Sequence, residues 1–219
     1  MHRRFWEWDP VFRLDPKKSA LLIIDMQNGF VEAGAPLEVP MARQQLPIMK
    51  KLLQFCRERG IPVVFTVFCV GPDFHYPFYW KIAKQRGLLL DPPGSMFWEG
   101  KYETAITPEL LPRPGERVIK KCGYDAFANT ELNQILRSLD ISYLIITGTV
   151  TNWCVDSTVR SAFHHFYDVV VVADAVSTYE HAGASAEAWQ NMELDLFAEA
   201  FARVAKSDDV IQELLNGGS

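Results

Sequence analysis

Residues 20–26 read Ala-Leu-Leu-Ile-Ile-Asp-Met, an unbroken apolar run that ends at an acid. A strand with one wet face alternates apolar and polar residues, whereas continuous apolarity suits a strand covered on both faces, as in a parallel sheet. The pattern recurs at residues 63–68, 142–147 and 169–173, and residues 117–121 predict a short strand, with 200–205 as a last one. Helices are predicted between them over residues 41–59, 130–139, 152–166 and 184–196, and a capped terminal helix begins at Ser207. The first of these carries Leu46, Met49, Leu52, Leu53 and Cys56 at helical spacing, and Gly60 closes it. Strands alternating with helices of this length specify an α/β fold. With right-handed crossovers it becomes a doubly wound three-layer αβα sandwich around a mostly parallel sheet of about six strands. The stretch 70–115, rich in Pro, Gly and aromatics, is too long for a simple connector and is expected to be functional or to hold short elements.

Size and charge narrow the function. A length of 219 residues favours one domain, with residues 1–17 as an N-terminal arm. A chain that is 48% hydrophobic and 22% charged has the composition of a globular protein with a proper core. Its 22 basic and 27 acidic residues leave a net charge of −5, the wrong sign for a partner that must be neutralised along a phosphate backbone. Nucleic acid is therefore not an expected partner. The apolar runs are too short to cross a bilayer, so no membrane partner is expected either. The N-terminus carries charges inside its apolar stretch and has no small-residue cleavage site, so no signal peptide is expected. Cys56, Cys69, Cys122 and Cys154 stand far apart with no CxxC pair, which argues for a reducing, cytoplasmic home.

In open parallel sheets ligands bind outside the carboxyl ends of the strands, near the point where strand order reverses. Three polar features follow the apolar runs: Asp25, the pair Lys120/Lys121, and Cys154. Each has a bland reading: a helix cap or ion-pair partner for Asp25, solvated charges for the lysines, a buried helix cysteine for Cys154. Together they set an acid, a base and a thiol at three strand ends. A thiol in the first turn of a helix feels the positive end of its dipole, which lowers its pKa and enriches the thiolate. The same helix start offers backbone N–H groups to an oxyanion.

These residues resemble a known family. Leu21-Leu22-Ile23-Ile24-Asp25-Met26-Gln27-Asn28-Gly29-Phe30 resembles the opening motif of the isochorismatase-like cysteine hydrolases. Lys121-Cys122-Gly123-Tyr124-Asp125-Ala126-Phe127 looks like their Lys-x-x-Tyr-Ser-x-Phe motif, with Asp125 where Ser is usual. Gly148 to Val155, continuing to Thr158 and Arg160, resembles their nucleophile loop. The resemblance covers roughly residues 18–215. Within the superfamily it leans toward the ureido and carbamoyl amidohydrolases, such as ureidoacrylate amidohydrolases and N-carbamoylsarcosine amidases. Isochorismatases proper lack the cysteine.

The resemblance implies roles, position by position. Cys154 is the expected nucleophile, Asp25 the general base and Lys121 the cation that tunes both. Lys120 is a rival, but only Lys121 has the three-residue step to Tyr124. The backbone N–H groups of Val150 and Cys154 are the expected oxyanion hole, with a cis peptide between Thr149 and Val150. Gln27, Phe30, Tyr124, Phe127, Asn152 and Trp153 flank the motifs and are candidate substrate-binding residues. The implied reaction is hydrolysis of a C–N bond in a small ureido or carbamoyl compound through a covalent thioester, with no cofactor. A homodimer or homotetramer is the expected assembly. The alternatives are a nicotinamidase-type amidase, or a catalytically silent member that binds a ligand or partner.

Several features are expected to be decoys. Asp73-Phe74-His75 stands where nicotinamidases of the superfamily carry a metal pair, but the further histidine that they need does not follow before His164. No metal is expected. His164 and His165 are adjacent on a predicted helix, so they point about 100° apart and cannot chelate together. Phe74, Phe78, Tyr79, Trp80, Phe97 and Trp98 are either ordinary core or an aromatic wall over Cys154. Trp6 and Trp8 are expected to pack on a subunit surface. Arg86 and Arg160 are candidates to face a substrate carboxylate.

Overall fold

The computed structural model describes residues 4, 7–71, 81, 82, 84, 85, 87 and 96–217. Its strands are β1 (Ser19–Ile24), β2 (Val63–Phe68), β3 (Arg117–Lys121), β4 (Tyr143–Thr149), β5 (Asp168–Ser177) and β6 (Arg203–Ala205). They form a six-stranded sheet in the order β3-β2-β1-β4-β5-β6, and every neighbouring pair is parallel. The helices are α1 (Asn28–Val31), α2 (Pro40–Glu58), α3 (Leu132–Ser138), α4 (Asp156–His164), α5 (Ala186–Ala200) and α6 (Ser207–Asn216).

The unbroken apolarity of β1 has the predicted cause, because every one of its residues is buried. Its side chains divide by period two between the faces of the sheet. Leu21 and Ile23 join a core layer with Met49, Leu52 and Leu53 of α2 and Val210 and Leu214 of α6. Ala20, Leu22 and Ile24 join the opposite layer with Leu136 of α3, Val159 and Ala162 of α4, and Leu194 and Phe197 of α5. Each fully buried Leu or Ile contributes roughly 1.5–3 kcal/mol, so β1 anchors both layers at once. The fold is the expected three-layer α/β sandwich.

The chain runs outward from β1 through β2 to β3, then returns to the other side of β1 as β4. Strand order therefore reverses between β1 and β4, and the crevice beyond their carboxyl ends is the natural place for a site.

Local departures from the predicted elements have identifiable causes. The helix expected over 152–166 is two pieces: a π-helical turn, Thr151–Val155, and then α4. Val155 donates to the Val150 carbonyl at 3.2 Å, an i→i−5 bond, and Asn152 leaves helical geometry at φ −91°, ψ 20°. The strand expected to stop at residue 173 continues to Ser177. The strand takes in Asp174, whose carboxylate accepts from the backbone N–H and the hydroxyl of Ser207, both at 2.8 Å. That contact also replaces the cap expected of Ser207 itself, because Lys206 is the capping residue and its side chain makes no capping bond. Only Arg203–Ala205 of the stretch 200–205 is strand.

The described part of 70–115 carries two single 3₁₀ turns, Tyr102–Thr104 and Pro108–Leu110. Phe97 there is fully buried between Phe30 and Phe68, with ring centroids 4.6 and 5.5 Å away. Trp98 packs on the α2 side of the core, whereas Trp8 is exposed. Phe74, Phe78, Tyr79, Trp80 and Trp6 lie outside the described residues. No helix among the described residues is long and apolar enough to cross a membrane.

Candidate active site

Asp25 follows β1 directly, in the left-handed region at φ +50°. Its backbone N–H reaches the Thr66 carbonyl at 3.2 Å, and its Oδ1 accepts the Thr66 hydroxyl at 2.6 Å. Lys121 is the last residue of β3, two strands away across β2. Its side chain passes over the end of β2, with Nζ 5.7 Å from the Phe68 ring centre. Nζ then donates to Asp25 Oδ2 at 2.6 Å, to the Gly123 carbonyl at 3.0 Å and to Cys154 Sγ at 3.3 Å. Cys154 arrives from the other side of β1, in the turn that follows β4. Three strand ends thus deliver an acid, an amine and a thiol to one dry spot, with the side chains of Asp25 and Lys121 both 0% exposed.

Strand alternation decides between the two lysines. Burial along β3 alternates so that Lys121 points inward and Lys120 outward, where it pairs with Glu99. A register slip of one residue would exchange them.

The electrostatics differ from expectation at the thiol. Burial pushes Cys154 up to about 12; the Lys121 ammonium opposes this, and the Asp25 carboxylate adds to it by charge and hydrogen bond. The expected lowering of the thiol pKa by a helix dipole is therefore corrected: the shift runs upward. The turn is π-helical rather than the first turn of an α-helix, and the sulfur is desolvated beside an anion. For Lys121, burial pulls its pKa down, but Asp25 and Cys154 outweigh it and leave it raised. An ammonium–carboxylate pair persists there, hydrogen-bonded on both members, which is what a buried ion pair requires.

Backbone shape at the β4 exit is tightly determined. Gly148 has φ +118°, and a Cβ there would lie 2.1 Å from the Ile24 carbonyl oxygen, so only glycine lets β4 pass β1 this closely. The Thr149–Val150 peptide is cis, as the resemblance implies. The Val150 carbonyl accepts from Trp153 at 3.0 Å and from Val155 at 3.2 Å, on either side of the Cys154 amide.

The other candidates fall into different settings. Gln27 is fully buried; its amide nitrogen donates to the carbonyls of Phe68 and Thr104, and its oxygen accepts the Phe68 N–H. Its polar atoms thus tie the β1 exit to β2 and to the 102–104 turn. Phe30 packs on Phe97, and Phe127 lies in the opposite core layer with its ring against His165 and Tyr167. Tyr124 and Trp153 face each other at 5.4 Å and are only partly buried. Asn152 bonds to His181 and to Thr178. Arg160 is bound to Asp156 at 2.6 Å and lies over the Phe201 ring.

Thr66 and His181 border these residues and were not singled out by sequence reasoning, and neither has a local signal. Asp73, His75 and Arg86 lie outside the described residues. Among the described residues, no group of three or more His, Cys, Asp and Glu side chains is placed to hold a metal ion.

Comparison with known proteins agrees with this architecture. A family model described as the isochorismatase domain matches residues 19–209. Ureidoacrylate amidohydrolase RutB of Pseudomonas syringae pv. syringae (strain B728a) is 33% identical over 179 residues, covering 74% of this chain and 72% of that protein. A crystal structure of a cysteine hydrolase from Pseudomonas syringae pv. phaseolicola 1448A matches in fold, with a TM-score of 0.83 at 24% identity over 94% of this chain and 96% of that one. The structure of N-carbamoylsarcosine amidase from Thermoplasma acidophilum gives a TM-score of 0.70 at 27% identity, covering 87% of this chain and 97% of that one.

Proposed function

The chain belongs to the isochorismatase domain family, and from that premise we propose a cysteine-dependent amidohydrolase that cleaves a C–N bond of a small ureido or carbamoyl compound. The coarser statement, a hydrolase of non-peptide C–N bonds, rests on the family and its amidohydrolase relatives. The finer reading is carried by one observation. Lys121 Nζ stands 2.6 Å from Asp25 Oδ2 and 3.3 Å from Cys154 Sγ in a site closed to water.

The chemistry follows from those atoms. Asp25 takes the proton of the Cys154 thiol, and the Lys121 ammonium stabilises both the thiolate and, before transfer, the carboxylate. The sulfur attacks the substrate carbonyl carbon, and the C=O electron pair moves onto oxygen. The N–H groups of Val150 and Cys154 hold that oxyanion. As it collapses, the C–N bond breaks, and Asp25 returns its proton to the leaving nitrogen, which departs as an amine. The resulting thioester is attacked by a water deprotonated by the same carboxylate. The C–S bond breaks, and the thiolate recovers a proton from Asp25. Because burial raises the thiol pKa, a base is needed before attack, and Asp25, bound to the same Lys121 ammonium as the sulfur, is the proposed one. Tyr124 and Trp153, aromatic and partly exposed beside Cys154, are the proposed substrate wall.

The test is an ammonia-release screen over ureides, carbamoyl amino acids, nicotinamide and simple amides. The proposal expects turnover of ureides or carbamoyl compounds by the wild type and none by Cys154→Ala. Turnover confined to nicotinamide would replace it with the nicotinamidase reading.

A further inference from the structure

His181 lies in the connection between β5 and α5, outside the acid–amine–thiol cluster, yet its imidazole is bound on both nitrogens and one face. Nδ1 is 2.8 Å from the Tyr179 carbonyl oxygen, which can only accept, so Nδ1 carries the proton. Nε2 is 2.9 Å from Asn152 Nδ2, which can only donate, so Nε2 is the bare nitrogen. These two contacts select a single neutral tautomer. Trp189 of α5 stacks on the ring at 4.6 Å with planes 6° apart, and its indole N–H donates to the His181 carbonyl at 2.9 Å. The far end of the Asn152 amide is held too, because Oδ1 accepts the Thr178 hydroxyl at 2.7 Å. The connection itself is closed by reciprocal backbone bonds between His181 and Ala184.

The residue so gripped is the one that gives the nucleophile turn its shape. Asn152 departs from helical geometry inside the turn, two residues before Cys154. Around that departure Trp153 and Val155 share the Val150 carbonyl, on either side of Cys154. Two side-chain tethers from outside bear on the turn: the Thr151 hydroxyl donates to Gln190 Oε1 of α5 at 2.7 Å, and Asn152 is bound to His181, itself pinned by an indole stack.

We infer that His181 is a positioning residue: through its bare Nε2 it holds Asn152, and so the π-helical turn, in the geometry that presents Cys154 and its amide to the substrate carbonyl. This rests on the reading of Cys154 as nucleophile. His181 touches no reacting atom. Its effect falls on the acylation rate rather than on substrate affinity, because a displacement near 1 Å at a reacting centre costs on the order of a hundredfold in rate.

The probe is p-nitrophenyl acetate, whose small acyl group passes to a thiolate with release of p-nitrophenolate. Burst rate constant and half-saturating concentration are read in His181→Phe, His181→Asn and His181→Gln, with folding checked by circular dichroism and thermal melting. Phe keeps the stack on Trp189 and loses both hydrogen bonds. Asn keeps a donor for the Tyr179 carbonyl and falls short of Asn152. Gln places a carbonyl oxygen where Nε2 stood and accepts from Asn152 again. The expected result is a burst slowed roughly tenfold to a hundredfold in Phe and Asn, with half-saturation little changed, and recovery in Gln to within about fivefold of wild type. Asn152→Ala should show the same loss, and its combination with His181→Phe should add nothing further, as for residues that act as a unit.

A purely structural histidine predicts another order, in which Phe is nearest to wild type and the losses track melting temperature. That order, or additive losses in the double variant, overturns the inference and leaves the cysteine reading standing. If the Phe variant does not fold, the contrast between Asn and Gln carries the same decision. A burst undiminished in Cys154→Ala overturns the cysteine reading itself, and this inference with it.

Discussion

Lys121 and Asp25 meet as a fully buried ion pair at 2.6 Å, although two strand positions separate their attachment points in the sheet. The length of the lysine side chain makes this possible, since it spans the end of β2 above Phe68. The carboxylate also accepts the Thr66 hydroxyl, so it is anchored on its other oxygen. A carboxylate held in this way cannot swing out to solvent, and the same ammonium is 3.3 Å from Cys154 Sγ.

Removing the buried amine leaves Asp25 charged and unpaired in a dry site, whereas Lys120 is an exposed partner of Glu99. Lys121→Ala is expected to lower kcat on the order of a thousandfold and to cost about 3–5 kcal/mol in stability. Lys120→Ala should cost about 1 kcal/mol or less and leave kcat within about threefold. Steady-state kinetics and urea melts on the two variants check this. The reverse ranking would place the motif one residue out of register.

Alkaline pH should destabilise the fold. Burial raises the thiols of Cys154 and Cys56 from 9.0 to about 12, and burial first, with Glu99 second, raises Cys69 to about 11. Between those values the unfolded chain releases thiol protons that the folded protein keeps. Stability then falls as pH rises. Lys121 acts in the same direction, because its raised pKa contributes stability that is lost as pH climbs through the folded value. The urea midpoint should be constant from pH 7 to 8 and drop by pH 10.5, with a smaller drop in Cys56→Ala. A midpoint that rises above pH 9 would contradict the burial of these thiols.

Electrophilic help in the proposed mechanism comes from two backbone N–H groups and a lysine, so a metal has no task at the reacting carbonyl. A catalytic zinc normally takes three protein ligands, and the Asp73-x-His75 pair offers two. Treatment with EDTA followed by dialysis should leave the rate essentially unchanged. Stoichiometric metal by elemental analysis, together with loss of activity in His75→Ala, would promote the nicotinamidase reading.

Most of the sheet could be read from residue order because burial on both faces leaves a direct mark in β1, β2, β4 and β5 as apolar runs without alternation, whereas the edge strand β3 is half exposed. The strand ends then pointed to Asp25, the pair Lys120/Lys121 and Cys154, and the family resemblance, through its three-residue step to Tyr124, chose between the lysines. What escaped depends on contacts between distant residues. The strand containing Asp174 looked finished because nothing nearby shows that Ser207 binds that carboxylate. The π-helical turn depends on which carbonyl Val155 reaches, and apolar periodicity is blind to that choice. His181 looks like any loop histidine until Asn152, 29 residues earlier, is brought against it. The direction of the Cys154 shift was misjudged for a related reason. A dipole can be inferred from a helix start, but burial of the sulfur beside Asp25 is a property of the packed molecule.

The central claim is that Cys154 forms and breaks a bond to substrate carbonyl carbon. It is tested most directly by rapid acid quench of the enzyme during turnover of a ureide that it hydrolyses, followed by mass spectrometry of the intact chain and of its peptides. The account predicts a transient acyl adduct on the Cys154 peptide alone, with no adduct and no turnover in a folded Cys154→Ala variant. Turnover by Cys154→Ala within about tenfold of the wild type, or an adduct shared equally among the four cysteines, would contradict it.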